Sequence, residues 1–595
     1  MDRLRRTYPA SIRKVLEDLP KSLDETYGRT LLSIDEERQE YAQRLFRCLT
    51  ISIRPLCVEE LAEIFAISFD EAAPPTFNPD LRPMDVNEAV LSACSSLVSI
   101  VDISGSQIVQ FSHFSVKEFL TSPRLADAGK PLSGYHILPE PAHTTLARAS
   151  LGVLLELDDK IDRNTIRHFP LAPYAARYWI DHARFGKVSS QVQGVIRRLF
   201  DPREPHFSAW VWLYDVDRHW LDPMSEARPM RPPAVPLYFA SLCGFHGLVE
   251  HLITDHPQDI DATGGFYYTP LRAASAKGDL NIVKLLLKNN ADPNACGPDG
   301  WAPLHSSTKD GHLKVVEIFL DRGVDVNQKT KSGMAALHLA STYGKLEVAR
   351  FLIQRGGILD ILTNFQETPL FRAAANGNLD IVGLLLDHGA NADASDKGSR
   401  SPLHIAACMG YHGIVELLLR SGAKPDARTK AQETPLALAC RHGRLEASRL
   451  LLDHDPEVNS RDRDDRTPLH LASEYGHLDV IRLLLKRGAH VSAYDSERWA
   501  PLHFASANGH LNVAEVLVHH GANVDGQNNE RTIPLDNTSS LNVTSFNPLW
   551  LLGLSSIASS HNLSWFNPLW LIASWLWHRF LIERGAAVSS RDDKG

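Results

Sequence analysis

A charge excess of one sign, paired cysteines, a membrane-length apolar run and a phosphate-binding loop are all missing from this 595-residue chain. Lys and Arg number 62 against 71 Asp and Glu, a formal charge of −9. No basic excess of the kind a dedicated nucleic-acid binder carries is present. The seven cysteines (Cys48, Cys57, Cys94, Cys243, Cys296, Cys408 and Cys440) are odd in number and never in CxxC spacing. That pattern argues against a disulfide framework or a zinc site, and for reduced, buried thiols in a cytoplasmic or nuclear protein. The longest apolar runs, 548–558 and 568–577, fall short of the ~18–20 residues of a membrane helix. Met1-Asp2-Arg3-Leu4-Arg5-Arg6 is followed by no apolar core of a secretory leader, so the expectation is a soluble chain without a membrane partner. The string GxxxxGK[ST], whose backbone N–H groups cradle phosphates, occurs nowhere; Gly129-Lys130 runs into Pro131. Nucleotide hydrolysis, a bound cofactor and a metal are therefore not expected of this chain.

Residues 1–125 read as a small helical domain. Ser22 stands as an N-cap with Glu25 three residues on. Apolar residues recur at helical spacing over 41–48, 58–65 and 86–97. Val98 to Ile103 and Ile108 to Ser112 alternate around Gly105, a hairpin pattern. Three helices closed by a hairpin make a winged-helix shape. Its third helix carries Asp85 and Glu88 and lacks the Arg or Lys that would reach bases or phosphates. His113, between Phe111 and Phe114, is expected as a hydrogen-bonded core residue, with no partner around it for a catalytic triad.

The stretches LPKSLDETYGRTLLSID, RPLCVEELAEI, LSACSSLVSI and FSHFSVKEFL carry a resemblance. They resemble the winged-helix segment that follows the NACHT nucleotide-binding domain in fungal NLR-like proteins of the STAND class, also named for inositol-deacylase-type proteins. There the segment is a regulatory spacer between motor and sensor, and the resemblance implies no deacylase chemistry. Because the P-loop is absent, it implies either a motor encoded upstream of a truncated gene model or a separate nucleotide-binding subunit.

Residues 126–230 read as a helical adaptor, with helices over 143–157 and 174–183. FPLAPYAARYWIDHAR is similar to a stretch between winged helix and repeats in the same fungal proteins. Asp181 and His182 are expected on the polar side of that helix; as sequence neighbours they point about 100° apart and form no dyad. Trp210, Trp212 and Trp220 are expected to bury the junction between the adaptor and the array after it.

From residue 231 one paragraph of residues repeats. The prolines of the PL pairs stand at 236, 270, 303, 369, 402, 435, 468, 501 and 534, with Ala336 in one place. The first interval is 34 residues and each later one 33. A glycine follows eight residues after each of the first nine anchors, as at Gly410 and Gly476. This pattern is similar to ankyrin repeats. Proline at the first helical turn presets φ, and the glycine permits a left-handed turn between two short helices. His305, His338, His404, His470 and His503 share one register; they are expected as scaffold, bonding locally to hold each turn.

The fold class expected is mainly α: a winged-helix-like domain (1–125), a helical adaptor (126–230), an ankyrin-repeat α-solenoid of repeats 1–9 (231–533), and a degenerate or interrupted terminal repeat (534–595). In the last stretch SFNPLWL and WFNPLWL are near-duplicates twenty residues apart, consistent with a degenerate repeat or with an insertion from a mis-spliced intron.

Function is expected where the repeats differ, on hairpin tips and the concave inner-helix face. Two residues before the anchors stand Tyr268, Trp301, Met334, Arg400, Arg466 and Trp499. Along the inner helices come Tyr343, Met409, Arg441 and Tyr475. These types are enriched at binding hot spots. The expectation is a non-enzymatic scaffold or sensor holding a protein partner across them.

Overall fold

The computed structural model describes residues 22–534 apart from 70–74, 84, 95, 159, 218–231 and 455. The expectations placed on the first six residues, on Trp220 and on the duplicated tail lie outside the described residues. The chain divides into two units, 1–297 and 298–595.

Among the described residues the first unit opens with α1 (Leu23–Leu32), where the Ser22 hydroxyl accepts from the Glu25 N–H at 3.1 Å. Then come α2 (Gln39–Ile51), β1 (Leu56–Cys57), α3 (Val58–Phe65), α4 (Val86–Cys94), β2 (Val98–Ile103) and β3 (Ser106–Phe111). The sheet order is β1-β3-β2, all antiparallel, with Val98 opposite Phe111 and Ile103 opposite Ser106. Ser104 and Gly105 both have positive φ, the condition for a two-residue turn that matches the twist of its strands. Leu45, Phe46, Leu56, Leu61, Ile64 and Val90 are fully buried between the helices and this wing.

His113 corrects the expectation made for it. It is exposed and is the N-cap of α5 (Phe114–Leu120), its Nδ1 accepting from the Ser115 N–H at 3.3 Å. The strand ends two residues earlier at Phe111, so the imidazole lies beyond the sheet and cannot enter its core.

The adaptor packs α6 (Pro139–Leu154) against α7 (Ala172–Ala183) and α2. Its joint to the winged helix is polar and buried. Glu63 on α3, 1% exposed, accepts from the Leu171 N–H at the start of α7 and pairs with Arg82. A carboxylate from one domain thus satisfies an orphan donor at a helix start in the next.

His182 is a second correction. It is fully buried rather than on a polar side, while Asp181 is exposed. The helix face carrying His182 is covered by α6, and the ring is satisfied on both nitrogens. The Ile53 N–H donates to Tyr174 Oη at 3.2 Å. Tyr174 Oη is 2.9 Å from His182 Nε2, and His182 Nδ1 is 2.9 Å from His143 Nδ1. With Tyr174 donating to Nε2, the proton of His182 sits on Nδ1 and points at His143. Burial, reinforced by His143, pushes His182 down to about 3, so it stays neutral.

The tryptophan expectation holds at Trp210 on α8 (His206–Leu213). Trp210 is fully buried, donates Nε1–H to the Ala176 carbonyl at 3.0 Å, and meets Trp179 at 5.5 Å and Phe239 of the first repeat at 6.0 Å. Trp179 also stacks on Phe245 of that repeat at 5.3 Å. Adaptor and first repeat share one aromatic core.

From Pro236 the described residues form nine pairs of helices, inner then outer, from Pro236–Cys243 with His246–Asp255 to Pro501–Ala507 with Leu511–His519. The first two pairs belong to the first unit and the other seven to the second. Proline stands at the first turn of eight inner helices, where its missing N–H costs nothing. Glycine eight residues on is left-handed in each pair, as at Gly410 (φ 82°) and Gly476 (φ 75°). A Cβ at Gly476 would come within 2.6 Å of the His510 ring, so both conformation and space require glycine there.

Candidate protein-binding face

In the second unit the repeats end in hairpins closed by one short backbone bond, such as Asp396 N–H to the Arg400 carbonyl and Asp462 N–H to the Arg466 carbonyl, both 3.0 Å. In the second unit consecutive hairpins are joined tip to tip, for example Lys397 N–H to Phe365 O and Arg463 N–H to Ala431 O. The recurring histidines tie this ribbon to the helices. Nδ1 of His338, His404 and His470 accepts the N–H of Ala335, Ser401 and Thr467 at 3.0–3.1 Å. The proton is thereby fixed on Nε2, which donates to the carbonyls of Glu367, Glu433 and Trp499 in the next hairpin at 3.0–3.2 Å. Expected only to hold their own turns, these side chains also staple one repeat to the next.

The structure separates the ten predicted partner-binding residues into two groups. Those before the anchors are partly engaged by their own hairpins. Arg400 makes a two-pronged pair with Asp396 at 2.7 and 2.9 Å, and Arg466 reaches Asp462, Asp464 and Glu474. Trp301 and Trp499 are half-buried, lying 6.1 and 5.8 Å from His305 and His503 of their own repeats. Met334 is half-buried. Tyr268, also half-buried, has φ 72° and belongs to the first unit.

The inner-helix group is more open. Tyr343, Met409 and Tyr475 sit at the C-terminal ends of the inner helices of repeats 4, 6 and 8, and are 47%, 42% and 51% exposed. They share one register seven residues after the anchor, where the helices between them carry Asn376 and His442. Two repeats at ~8–10 Å per packed helix place successive members roughly 20 Å apart. Lys309 Nζ lies 5.7 Å from the Tyr343 ring, and Arg441 is paired with Glu433 at 2.5 Å. The face is thus a row of spaced, half-exposed Tyr and Met side chains set among polar residues and self-neutralised ion pairs. It can clasp apolar groups of an extended partner without leaving a buried charge unpaired.

Sequence reasoning missed one feature here. Ile358, Leu362 and Phe365, on the hairpin after repeat 4, are 53%, 42% and 63% exposed. The same register in the preceding hairpin holds Asp325, Lys329 and Ser332. Lys329 Nζ donates to the Leu362 carbonyl at 2.9 Å, as Arg428 and Arg461 do to Arg461 and Tyr494. Leu362 has no donor to continue that ladder, and comparing registers along the repeats would have marked it.

Residues 237–330, 271–361, 337–429, 403–495 and 461–528 match the model described as ankyrin repeats (3 copies). The array is built of ankyrin repeats. Residues 30–128 match the GPI inositol-deacylase winged helix domain, which covers the wing β1-β3-β2 and the helices packed on it. Among curated proteins, the azaphilone pigments biosynthesis cluster protein L of Monascus ruber is 34% identical over 295 residues, 47% of this chain and 61% of that protein. Alpha-latrocrustotoxin-Lt1a of Latrodectus tredecimguttatus is 33% identical over 60 residues, 10% of this chain and 4% of that one. The chain therefore spans less than two thirds of either relative. Among solved structures, the human ASB11 ankyrin repeat domain is 27% identical, over 35% of this chain and 92% of that one, with a TM-score of 0.33. The helix order and the two family matches make the fold mainly helical, a winged helix and adaptor followed by an ankyrin solenoid. Among the described residues no three His, Cys, Asp or Glu stand close enough to hold a metal ion, and no helix is long and apolar enough to cross a membrane.

Proposed function

We propose that this chain is a non-enzymatic protein-interaction scaffold or sensor whose ankyrin inner-helix face holds an extended segment of a protein partner. The observation that carries the reading is the row Tyr343, Met409 and Tyr475, three large side chains about half exposed at one register of alternate repeats. Ankyrin repeats imply protein partners, and exposed Tyr and Met on a rigid scaffold supply contact area at low entropic cost. Trp301, Arg400, Arg466 and Trp499 form the hairpin border of the same face. The test is affinity capture on the full chain beside a Tyr343→Ala, Met409→Ala, Tyr475→Ala variant. A protein held by the parent should be lost from the variant, and an unchanged set of captured proteins would sink the assignment.

A second reading makes the chain the sensor half of a NACHT-type signalling protein, its motor supplied upstream or by a separate nucleotide-binding subunit. The inositol-deacylase-type winged helix at 30–128 favours it. Transcript sequencing decides: an in-frame GxxxxGK[ST] before Met1 supports it, and an in-frame stop codon there removes the upstream form.

A further inference from the structure

Charge is spread unevenly over the hairpins and inner helices of the second unit. One stretch of each repeat, from seven residues before the anchor to nine after it, covers 329–345, 362–378, 395–411 and 428–444 in repeats 4 to 7. These stretches hold ten Lys or Arg against three carboxylates, in a chain whose formal charge is −9. The same stretches of repeats 3, 8 and 9 (296–312, 461–477 and 494–510) each hold one carboxylate more than they hold Lys and Arg. The excess belongs to four consecutive repeats.

No carboxylate in those four is left to offset it. Glu367 pairs with Arg372 at 3.5 Å, Asp396 with Arg400 at 2.7 Å and Glu433 with Arg441 at 2.5 Å. Arg428 is taken by Glu457 at 2.8 Å. The carboxylates leading into these hairpins are spent on backbone. Asp325 accepts from Asn327, and Asp360, Asp393 and Asp426 each accept an N–H of the next repeat, all at 2.9–3.0 Å. Lys329, Lys331, Lys345, Lys397, Lys430 and Arg444 remain, with no carboxylate of the described residues in ion-pair range.

These cations edge the inner-helix face on both sides. Lys331, Lys397 and Lys430 share one register of the hairpin tips, five residues before the anchor, and all three are exposed. Their N–H groups bond to Asp299, Phe365 and Gly398 of the preceding tips at 2.9–3.0 Å, so the lysines stand on a fixed ribbon. Lys345 and Arg444 stand nine residues after the anchor, beyond Tyr343 and Met409. Each lies across the left-handed glycine of the repeat before: a Cβ at Gly311 or Gly410 would come within 2.8 or 2.7 Å of its Cδ. Arg444 spends only Nε, on the Cys408 carbonyl at 3.0 Å.

We propose that the extended segment held by this face is an acidic peptide, its carboxylates along the two cationic edges of repeats 4 to 7 and its apolar side chains on Tyr343 and Met409. The proposal rests on the reading that the inner-helix face holds an extended segment, and adds that segment's chemistry. Helices pack ~8–10 Å apart, and a polyproline-type strand advances ~9 Å in three residues, so Asp or Glu at every third position meets one repeat each. Apolar residues six apart span the two repeats from Tyr343 to Met409. Charge complementarity favours a peptide over a nucleic acid. Beyond a Debye length of ~8 Å a long polyanion meets the −9 of the whole chain, whereas a short peptide seated on the ribbon lies within that length of the lysines.

The experiment uses the full chain and fluorescein-labelled probes in fluorescence anisotropy. One peptide of about twelve residues carries Glu at every third position and two Leu six apart; a second has Gln for each Glu; the third probe is a single-stranded DNA of about twelve nucleotides. The Glu peptide should bind about tenfold or more tightly than the Gln peptide and than the DNA. Lys331→Gln with Lys397→Gln and Lys430→Gln should abolish the preference for Glu. Lys284→Gln with Lys314→Gln and Lys486→Gln, which removes equal charge from outer helices, should leave it intact. No binding of the Glu peptide, equal binding of the two peptides, tighter binding of the DNA, or equal loss in both lysine variants would each overturn the proposal. Failure of the underlying reading looks different: the Tyr343, Met409, Tyr475 triple-alanine variant would then bind the Glu peptide as the parent does, with the lysine-dependent preference for Glu still present.

Discussion

Mild acid should loosen the ankyrin array through its staples. Burial pushes His338, His404 and His470 down to about 4, against an ordinary value of about 6.5. Their Nδ1 atoms already accept a backbone N–H, so a second proton would set two donors face to face in a fully buried site. Below pH 6.5 the unfolded chain binds a proton at each site while the folded one does not. Stability is therefore complete above about pH 6.5 and declines as pH falls towards 4. At pH 5 each site forfeits about 2 kcal/mol, from 1.5 pH units at 1.36 kcal/mol per unit, and the three together about 6 kcal/mol. For some 300 residues unfolding together, that lowers Tm by about 10 °C. Circular dichroism melts at pH 7.5 and 5.0 measure it, with a His338→Gln, His404→Gln, His470→Gln variant as the reference. Gln keeps a donor and an acceptor but does not titrate. The parent should lose about 10 °C more than the variant between the two pH values. Equal losses would refute the reasoning, because the staples would then not be the source.

Other expectations concern the first unit and the hairpins. Trp210→Ala should destabilise that unit by about 3–5 kcal/mol in urea titrations, since it empties the core shared by adaptor and first repeat. Glu63→Ala leaves Arg82 and the Leu171 N–H without their carboxylate, and should cost about 3 kcal/mol in the same titration. Gln432 holds φ 61°, so Gln432→Gly should raise the melting midpoint of the second unit, by up to about 1 kcal/mol of stability. Removing Lys329 by Lys329→Ala breaks one rung to Leu362 and should speed amide exchange in those two hairpins, with a loss near 1 kcal/mol.

The helices most legible in the sequence are those whose ends are chemically marked. Pro at the first turn and a left-handed glycine fix both limits of an inner helix locally, so Pro468 and Gly476 can be placed without tertiary knowledge. Val58–Phe65 appears at the predicted residues because Pro55 and the capping carboxylate of Glu60 bound it from one side. His182 and His113 are misread for different reasons. A helix pattern does not say which face a distant element covers, and α6, some forty residues upstream, buries His182, whereas His113 lies past the point where its strand stops at Phe111. Arg400 and Arg466 are legible as distinctive residues, but their engagement within the hairpin is not. Even so, an aspartate stands four residues before each, the spacing that lets the hairpin claim its own guanidinium.

At the C-terminal end of the first inner helix, Arg184 of the adaptor donates to the Cys243 carbonyl. Later repeats fill the corresponding place themselves: Arg444 donates to Cys408 O, His477 to Arg441 O and His510 to Glu474 O. Repeat 2 offers Asp279 at that register, a side chain with no proton to give. The aromatic core that Trp179 and Trp210 share with Phe239 and Phe245 makes the adaptor a cap on the first repeat, and the natural place to cut this chain is upstream of it. An array begun at residue 231 would carry a raw aromatic end at Phe239 and Phe245, and would be expected to stick to itself, whereas one begun at Pro139 keeps that end sealed.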